Sequence, residues 1–170
     1  LFCMALKVKP ADSCQFDLIA LGECMIRLSP PAHGRIEFAP ALEVWVGGGE
    51  YNVAYALSRL GMRTGWVGGL NTSPMGRVVV ANHARSVGMD ISHAVTRKYD
   101  GVGKVDRIGL NFTEVGHSKR ASVTLYDRGH SATAGMKPGE VNWKKLFGEQ
   151  GVRWLHTGGI FAALSDGARK

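Results

Sequence analysis

The sequence predicts an α/β fold in which a parallel sheet is connected by crossover helices. Strand and helix patterns alternate between residues 16 and 90, an order that is typical of such sheets. With 170 residues, the chain forms one domain or a large piece of one, and its 23 glycines suit many short strand-to-helix turns. Residues 1–15 carry no such pattern, so we expect a loose N-terminal tail there.

The first elements are expected to be strands followed by a helix. The run FDLIALGECMIRLS (16–29) predicts one central strand that is buried on both faces. Beyond the break SPPAHG, the segment RIEFAPALEVWVGG (35–48) alternates with a period of two, which predicts strands with one solvent-exposed face. The period then becomes helical, and Gly61 is placed to end the helix. The apolar face of that helix comprises Val53, Ala56, Leu57 and Leu60.

The rest of the chain continues the alternation and adds a hairpin. A short strand at TGWVGGL precedes a second predicted helix, with Ser73 as its N-cap and Gly88 at its end. Two alternating runs at 104–115 and 120–129 predict a hairpin of mixed polarity, which suits a flap over the domain. A helix near GEVNWKKLF and a strand in VRWLHTGGI follow, and a capping signal at Ser165 comes without a helix pattern after it.

Charge and cysteine content narrow the function classes. The net charge is +7, but lysine and arginine are scattered and cluster only in pairs, so we expect no nucleic-acid partner. No apolar run approaches the ~20 residues that a transmembrane helix needs, so we expect no membrane partner. Three cysteines without a C-x-x-C pair favour a reduced, cytoplasmic setting, with Cys24 as a small core residue.

A glycine-rich turn precedes the first predicted helix. Gly47, Gly48 and Gly49 form a tight turn, a phosphate-binding loop or a contact surface for a small polar ligand. The spacing matches neither G-x-x-x-x-G-K-[ST] nor G-x-G-x-x-G, and what remains is G-G-x-x-x-N, ending at Asn52. An amide both donates and accepts hydrogen bonds, as hydroxyl groups do. Asn52 therefore suits a hydroxylated ligand, while a purely structural role in capping the helix stays equally open.

A second candidate group lies in the motif LYDRG. Tyr126 and Arg128 are two residues apart in a predicted strand, so their side chains project to the same side. Arginine favours bidentate contact with carboxylate or phosphate. The structural alternative is an exposed strand face on which Arg128 lies over the ring of Tyr126.

Several motifs in the same order resemble a known enzyme family. VGGGEYNVAYALSRLGMRTGWVGGLNTSPMG resembles the first signature of the ribokinase-like (PfkB) carbohydrate kinases. IALGECMIRLSP, RIGLNFTEVG, LYDRGHSA and WLHTGGIFAAL further resemble the 2-keto-3-deoxygluconate kinase branch. The resemblance spans residues 16–170. It implies a three-layer α/β/α domain with a small β lid, whose strands lie at about 33–46 and 102–129 in this sequence.

The resemblance also implies an activity and a set of contact residues. Such kinases transfer the γ-phosphoryl group of ATP, with Mg²⁺, to a sugar hydroxyl. The positions that match substrate contacts of the family are Gly47, Gly48, Asn52, Tyr126 and Arg128. At two further candidate substrate-binding positions the sequence differs from the residues usual in the family. Arg27 stands where sugar kinases often have Asp, which favours an acidic substrate, and Asn111 stands at a lid position that can be Tyr.

The second signature of the family, D-T-x-G-A-G-D, does not occur in the sequence. That motif carries the catalytic base and the helix start that stabilises the transferring phosphoryl group, so we assign no catalytic residue and no metal ligand. We therefore expect the N-terminal half of a kinase, incomplete at its C-terminus. The favoured substrate is 2-keto-3-deoxygluconate. The alternatives are a fructokinase-like or other sugar kinase, and a non-catalytic fragment that binds sugar or dimerises through its lid strands.

Overall fold

The computed structural model describes residues 6–170, so residues 1–5 of the predicted tail lie outside the described part. Nine strands occur in that part: β1 (Leu18–Leu21), β2 (Met25–Ser29), β3 (Glu43–Gly47), β4 (Thr64–Val67), β5 (Gly69–Asn71), β6 (Val95–Arg97), β7 (Gly109–Glu114), β8 (Val123–Asp127) and β9 (Leu155–Thr157). The α-helices are α1 (Gly49–Arg59), α2 (Ala81–Arg85), α3 (Gly159–Ala163) and α4 (Asp166–Arg169). Met75–Val80 is π-helical and leads into α2, and Lys144–Gln150 forms a second π-helical segment.

The strands form three sheets. The central sheet has the order β4-β1-β9 and is parallel, as predicted for this fold class. A four-stranded sheet of order β3-β2-β7-β8, here called the lid sheet, is antiparallel except where β2 pairs with β7. The pair β5-β6 is a short parallel sheet. Within residues 6–170, no helix is long and apolar enough to cross a bilayer.

Helical segments cover both faces of the central sheet. Successive side chains of β1 alternate between two apolar clusters, because neighbouring residues of a strand point to opposite faces. Leu18 and Ala20 belong to one cluster, together with Tyr51, Ala54, Val80 and Ala84 from the helical segments. Ile19 belongs to the other, together with Leu146, Val152 and Phe161. The result is the three-layer α/β/α arrangement expected from the sequence.

Helix boundaries follow the local signals. Gly61, just after α1, has a φ of +87°, the left-handed conformation in which helices often end. At the second helix, the hydroxyl of Ser73 accepts a hydrogen bond from the backbone N–H of Gly76 at 3.2 Å, which confirms the predicted N-cap. Cys24 is buried in the core, as expected. Ser165 caps the short helix α4 through Ala168, so the helix that its capping signal lacked in the sequence is present.

Two predicted strands are wrong. The run 16–29 is not one strand, because the chain leaves the central sheet after Leu21 and enters the lid sheet at Met25. A Cβ at Gly22 would lie 2.3 Å from a carboxylate oxygen of Glu50, so a larger residue where the chain changes direction would displace the Glu50 side chain. Ile36–Phe38 forms a 3₁₀ turn, and Glu43–Gly47 is the strand that the segment 35–48 contains.

A partly buried carboxylate, that of Asp17, ties three distant segments together. Asp17, just before β1, accepts hydrogen bonds from the Arg63 side chain at 2.9 and 3.0 Å and from the Arg63 backbone N–H at 3.0 Å. Arg153 Nη1 donates to the same carboxylate at 3.0 Å. Hydrogen bonds from Arg63 hold the pKa of Asp17 well below its usual value.

We predict that Asp17→Asn makes the stability less dependent on acid pH. The lowered pKa of Asp17 in the folded state contributes stability above its unfolded pKa of about 3.9, and this contribution is lost as the pH falls below that value. Thermal unfolding from about pH 5 down to pH 2 should therefore show a smaller loss of Tm in the variant. Asp166→Asn, at an exposed pair with Arg169, is the control and should follow the wild type.

Candidate functional site

A cavity of about 760 Å³ lies between the lid sheet and the start of α1. Its lining includes most of the site residues that the sequence analysis selected: Arg27, Gly47, Gly48, Asn52, Asn111 and Tyr126. These residues come from four strands and one helix, and the fold brings them to one surface. Whether they contact substrate stays a prediction, but their shared location makes the cavity the candidate substrate site.

The lid wall of the cavity is built from one row of paired residues. Trp45 of β3 lies opposite Arg27 of β2, Arg27 lies opposite Asn111 of β7, and Asn111 lies opposite Tyr126 of β8. Directly paired residues project to the same face of a sheet, so each of the four strands contributes one side chain to this wall. The row combines a cation and an amide, flanked by two aromatic rings.

The sequence analysis missed part of this lining. Trp45 could have been found from the sequence, because in a strand it lies on the same face as Gly47, two residues away, and as Glu43. The missed positions with polar side chains also include Ser29, His33, Glu43, Thr113 and Thr124, whose hydroxyl, imidazole and carboxylate groups add hydrogen-bonding capacity. No motif marks them, because the four strand residues reach the cavity through the pairing register of the lid sheet and His33 reaches it from the 3₁₀ turn that follows β2.

The glycine turn forms the opposite wall. A Cβ at Gly48 would lie only 2.0 Å from the carbonyl oxygen of Glu23, so a larger residue would force the turn away from the link between β1 and β2. Asn52 Oδ1 accepts a hydrogen bond from the Gly48 N–H at 3.4 Å, and a Cβ at Gly47 would lie 3.2 Å from the same oxygen. Asn52 therefore supports the turn and lines the cavity, so its two possible roles are compatible.

The start of α1 adds a favourable field for anions. Gly48 is the N-cap of this 11-residue helix, and Gly48, Gly49 and Asn52 all line the cavity. The first N–H groups of a helix have no intrahelical acceptor and carry partial positive charge. An anionic group of a ligand would be stabilised at this end of the cavity.

Arg27 is a cation within the cavity lining. Its Nε donates to Ser29 Oγ at 3.2 Å, and it forms no ion pair with any of residues 6–170. The carboxylate in the lining is Glu43, whose Oε2 accepts a hydrogen bond from Trp45 Nε1 at 3.3 Å. A ligand carboxylate can therefore approach Arg27 without first displacing an ion-pair partner.

Arg128 is not part of the cavity lining. Its Nη2 lies 2.5 Å from Glu23 Oε2, and its guanidinium carbon lies 5.6 Å from the centre of the Tyr126 ring. The structural alternative, an arginine beside the tyrosine ring, thus describes its position. A direct contact between Arg128 and a ligand carboxylate stays a prediction, and it requires the pair with Glu23 to separate.

The described residues offer no evident metal site. Among residues 6–170, no three or more His, Cys, Asp or Glu side chains are grouped so that they could hold a metal ion.

Comparisons with known proteins place this geometry in a family. No family model matches the chain. A 2-dehydro-3-deoxygalactonokinase of Haloferax volcanii is 36% identical over 154 residues, which cover 91% of this chain and 45% of that protein. The crystal structure of 2-dehydro-3-deoxygluconokinase from Thermotoga maritima is 36% identical with a TM-score of 0.76, over 84% of this chain and 41% of its own. A PfkB family carbohydrate kinase from Listeria grayi is 31% identical with a TM-score of 0.78, over 88% and 43%.

The chain belongs to the PfkB family of carbohydrate kinases. It spans less than half the length of the relatives named here. The ribokinase-like fold expected from the sequence is confirmed, and the lid sheet and glycine turn of this PfkB-family chain are the parts that enclose its candidate site.

We predict opposite outcomes for alanine at two adjacent glycines of the turn. Gly48→Ala should lower the free energy of unfolding by about 1–3 kcal/mol, because the new methyl group overlaps the Glu23 carbonyl. Gly49→Ala is the matched control, since a Cβ there has no neighbour within 4 Å and alanine favours helix. Urea unfolding of both variants measures the difference. Equal stability of the two would contradict the close approach.

Proposed function

We propose that this chain forms the substrate-binding part of an ATP-dependent kinase for sugar acids, with 2-keto-3-deoxygluconate as the favoured substrate. One observation carries the proposal: the cavity contains a cation without an ion-pair partner among residues 6–170, next to amide groups suited to hydroxyls. Two relatives are named as kinases of 2-dehydro-3-deoxy sugar acids, which supports this substrate class.

Each part of such a substrate has a matching surface. The carboxylate would pair with Arg27, and the hydroxyls would bond to the amides of Asn52 and Asn111. The rings of Trp45 and Tyr126 would cover the apolar C–H surface of the sugar and exclude water from it. A neutral sugar would leave Arg27 without a ligand partner. A fructokinase-like activity therefore ranks second, after a kinase of sugar acids.

In the proposed kinase, ATP supplies the phosphoryl group that a substrate hydroxyl receives. The residues of this chain would bind and orient the sugar acid and close the lid sheet over it. The sequence contains no D-T-x-G-A-G-D motif, so no residue here is assigned as the base or as the group that stabilises the phosphoryl oxygens. ATP and Mg²⁺ would bind mainly through residues that other PfkB proteins carry beyond the matched region.

We predict that Arg27→Gln selectively weakens the binding of a sugar acid. The loss of the charged hydrogen bond should reduce the binding free energy of 2-keto-3-deoxygluconate by about 1.5–3 kcal/mol. Binding of D-fructose, a neutral ketose, should change little. Isothermal titration calorimetry with both ligands measures the effect.

The control for this titration is Arg35→Gln. Arg35 carries the same charge, pairs with Glu37 and does not line the cavity, so its loss should leave both affinities near wild type. Equal losses for acid and ketose in Arg27→Gln would show that Arg27 does not contact the carboxylate.

We also predict that the purified wild-type chain gives no turnover with ATP, Mg²⁺ and the sugar acid. Measurable turnover would show that the chain carries the transfer chemistry itself.

We also propose that two copies associate through the lid sheet. The face of this sheet that points away from the cavity carries an apolar row, because Val44 pairs with Leu28, Leu28 with Phe112 and Phe112 with Leu125. Val44 and Leu125 are more than half exposed, at 51% and 59%. Such a surface is stabilised by contact with a second copy.

We predict that Leu125→Lys shifts the chain from dimer to monomer in sedimentation velocity, because it places a charge in this apolar row. Ile160→Lys, at an exposed position of α3 outside the lid sheet, should not change the sedimentation. A wild-type monomer at all concentrations would contradict the association.

A cytoplasmic location stays a prediction from the cysteine pattern.

A further inference from the structure

Glu23 is a buried carboxylate at the junction of the central and lid sheets. It follows Gly22 at the end of β1, precedes β2, and is 3% exposed. A carboxylate that is removed from water in this way requires a positive partner or several hydrogen-bond donors. The contacts of Glu23 therefore show which groups compensate for its burial.

The two carboxylate oxygens of Glu23 have different partners. Oε1 accepts a hydrogen bond from the Ser131 hydroxyl at 2.5 Å. Oε2 lies 2.5 Å from Arg128 Nη2, but the two are not aligned as a hydrogen bond. Arg128 Nε is also buried and lacks an acceptor among the described residues. The ion pair is close, yet the guanidinium keeps donor capacity that Glu23 does not use.

This pair lies beside the candidate site. The Glu23 carbonyl packs against Gly48 of the turn, and a Cβ at Gly109 would lie 2.8 Å from Glu23 Oε1. Gly109 pairs with Met25, and Met25 pairs with Gly47, one step along the strands from the row that lines the cavity. Arg128 in turn lies next to the ring of Tyr126, which lines the cavity.

The neighbouring charges do not replace Glu23 as the partner of Arg128. Asp127, the adjacent carboxylate, forms a bidentate pair with Arg107 and is half exposed. Its own strand partner is Leu110, so it belongs to the opposite face of the lid sheet. Glu23 alone among the described carboxylates lies within ion-pair distance of Arg128.

We propose that Glu23 determines the ligand specificity of the cavity by masking the charge of Arg128. This inference rests on the proposed binding of sugar acids. An arginine whose side chain is only 20% exposed is stabilised by a counter-ion when no ligand is present, and Glu23 supplies it. An approaching carboxylate consequently meets a free cation at Arg27, whereas the pair of Arg128 and Glu23, which lies outside the lining beside Tyr126, adds little net charge. Glu23 thus lowers the affinity of the cavity for anionic ligands, including the sugar acid.

The test compares the wild type with Glu23→Gln, which keeps the size of the side chain and removes its charge. Calorimetric titration should show about tenfold tighter binding of 2-keto-3-deoxygluconate, since a unit charge close to the ligand is no longer compensated. Binding of D-fructose should stay unchanged. The ligand-free variant should also have a lower Tm than wild type, and the sugar acid should raise its Tm by a larger amount.

Asp127→Asn is the matched control. It also removes a carboxylate, and this carboxylate is adjacent to Arg128 in sequence but has a different ion-pair partner. Its ratio of acid to ketose affinity should equal that of the wild type. Unchanged or weaker acid binding in Glu23→Gln, with acid binding intact in wild type, would overturn the masking role alone. Absence of acid binding in wild type would instead contradict the proposed function.

Glu23→Asp is the second variant for the same titration, and it replaces Glu23→Gln if that variant does not fold. Shortening the side chain by one methylene withdraws the carboxylate from Arg128 while keeping the buried charge. A smaller gain in acid affinity, again without a change for D-fructose, is the expected result. No gain in this variant would overturn the inference.

Discussion

The packing of Gly48 against the carbonyl of Glu23 is the contact on which the candidate site depends. It joins the turn before α1 to the point where the chain passes from the central sheet to the lid sheet. Because no side chain separates the two backbones, the start of α1 and the row of lid residues face each other across the cavity. The glycine is required here by space rather than by conformation, since its backbone is extended.

The local elements were predictable because their signals are local. The apolar face of α1, the left-handed Gly61 and the Ser73 cap depend on residues within a few positions of one another. The division of 16–29 into β1 and β2 was not predictable in this way. Both halves are apolar and strand-forming, and the neighbour of Gly22 at the change of sheet is Glu50, which is distant in sequence.

The candidate site shows the same limit. The glycine turn and Asn52 were found from spacing, whereas Trp45 and Thr113 reach the cavity through strand register, which one sequence does not encode locally. Spacing placed Arg128 beside Tyr126 but gave no sign of its pairing with Glu23. A lone carboxylate within an apolar run was a signal for Glu23, because such a group rarely lies in a core without a partner.

The single row Trp45–Arg27–Asn111–Tyr126 has a consequence for how this cavity can diversify. Each strand offers one position to the ligand, so a point substitution alters one contact and leaves the other three in place. Inserting one residue within any of these strands would rotate its contribution to the far side of the sheet. Change in ligand preference should therefore proceed by exchange of side chains within the strands, while length variation is confined to the loops between them.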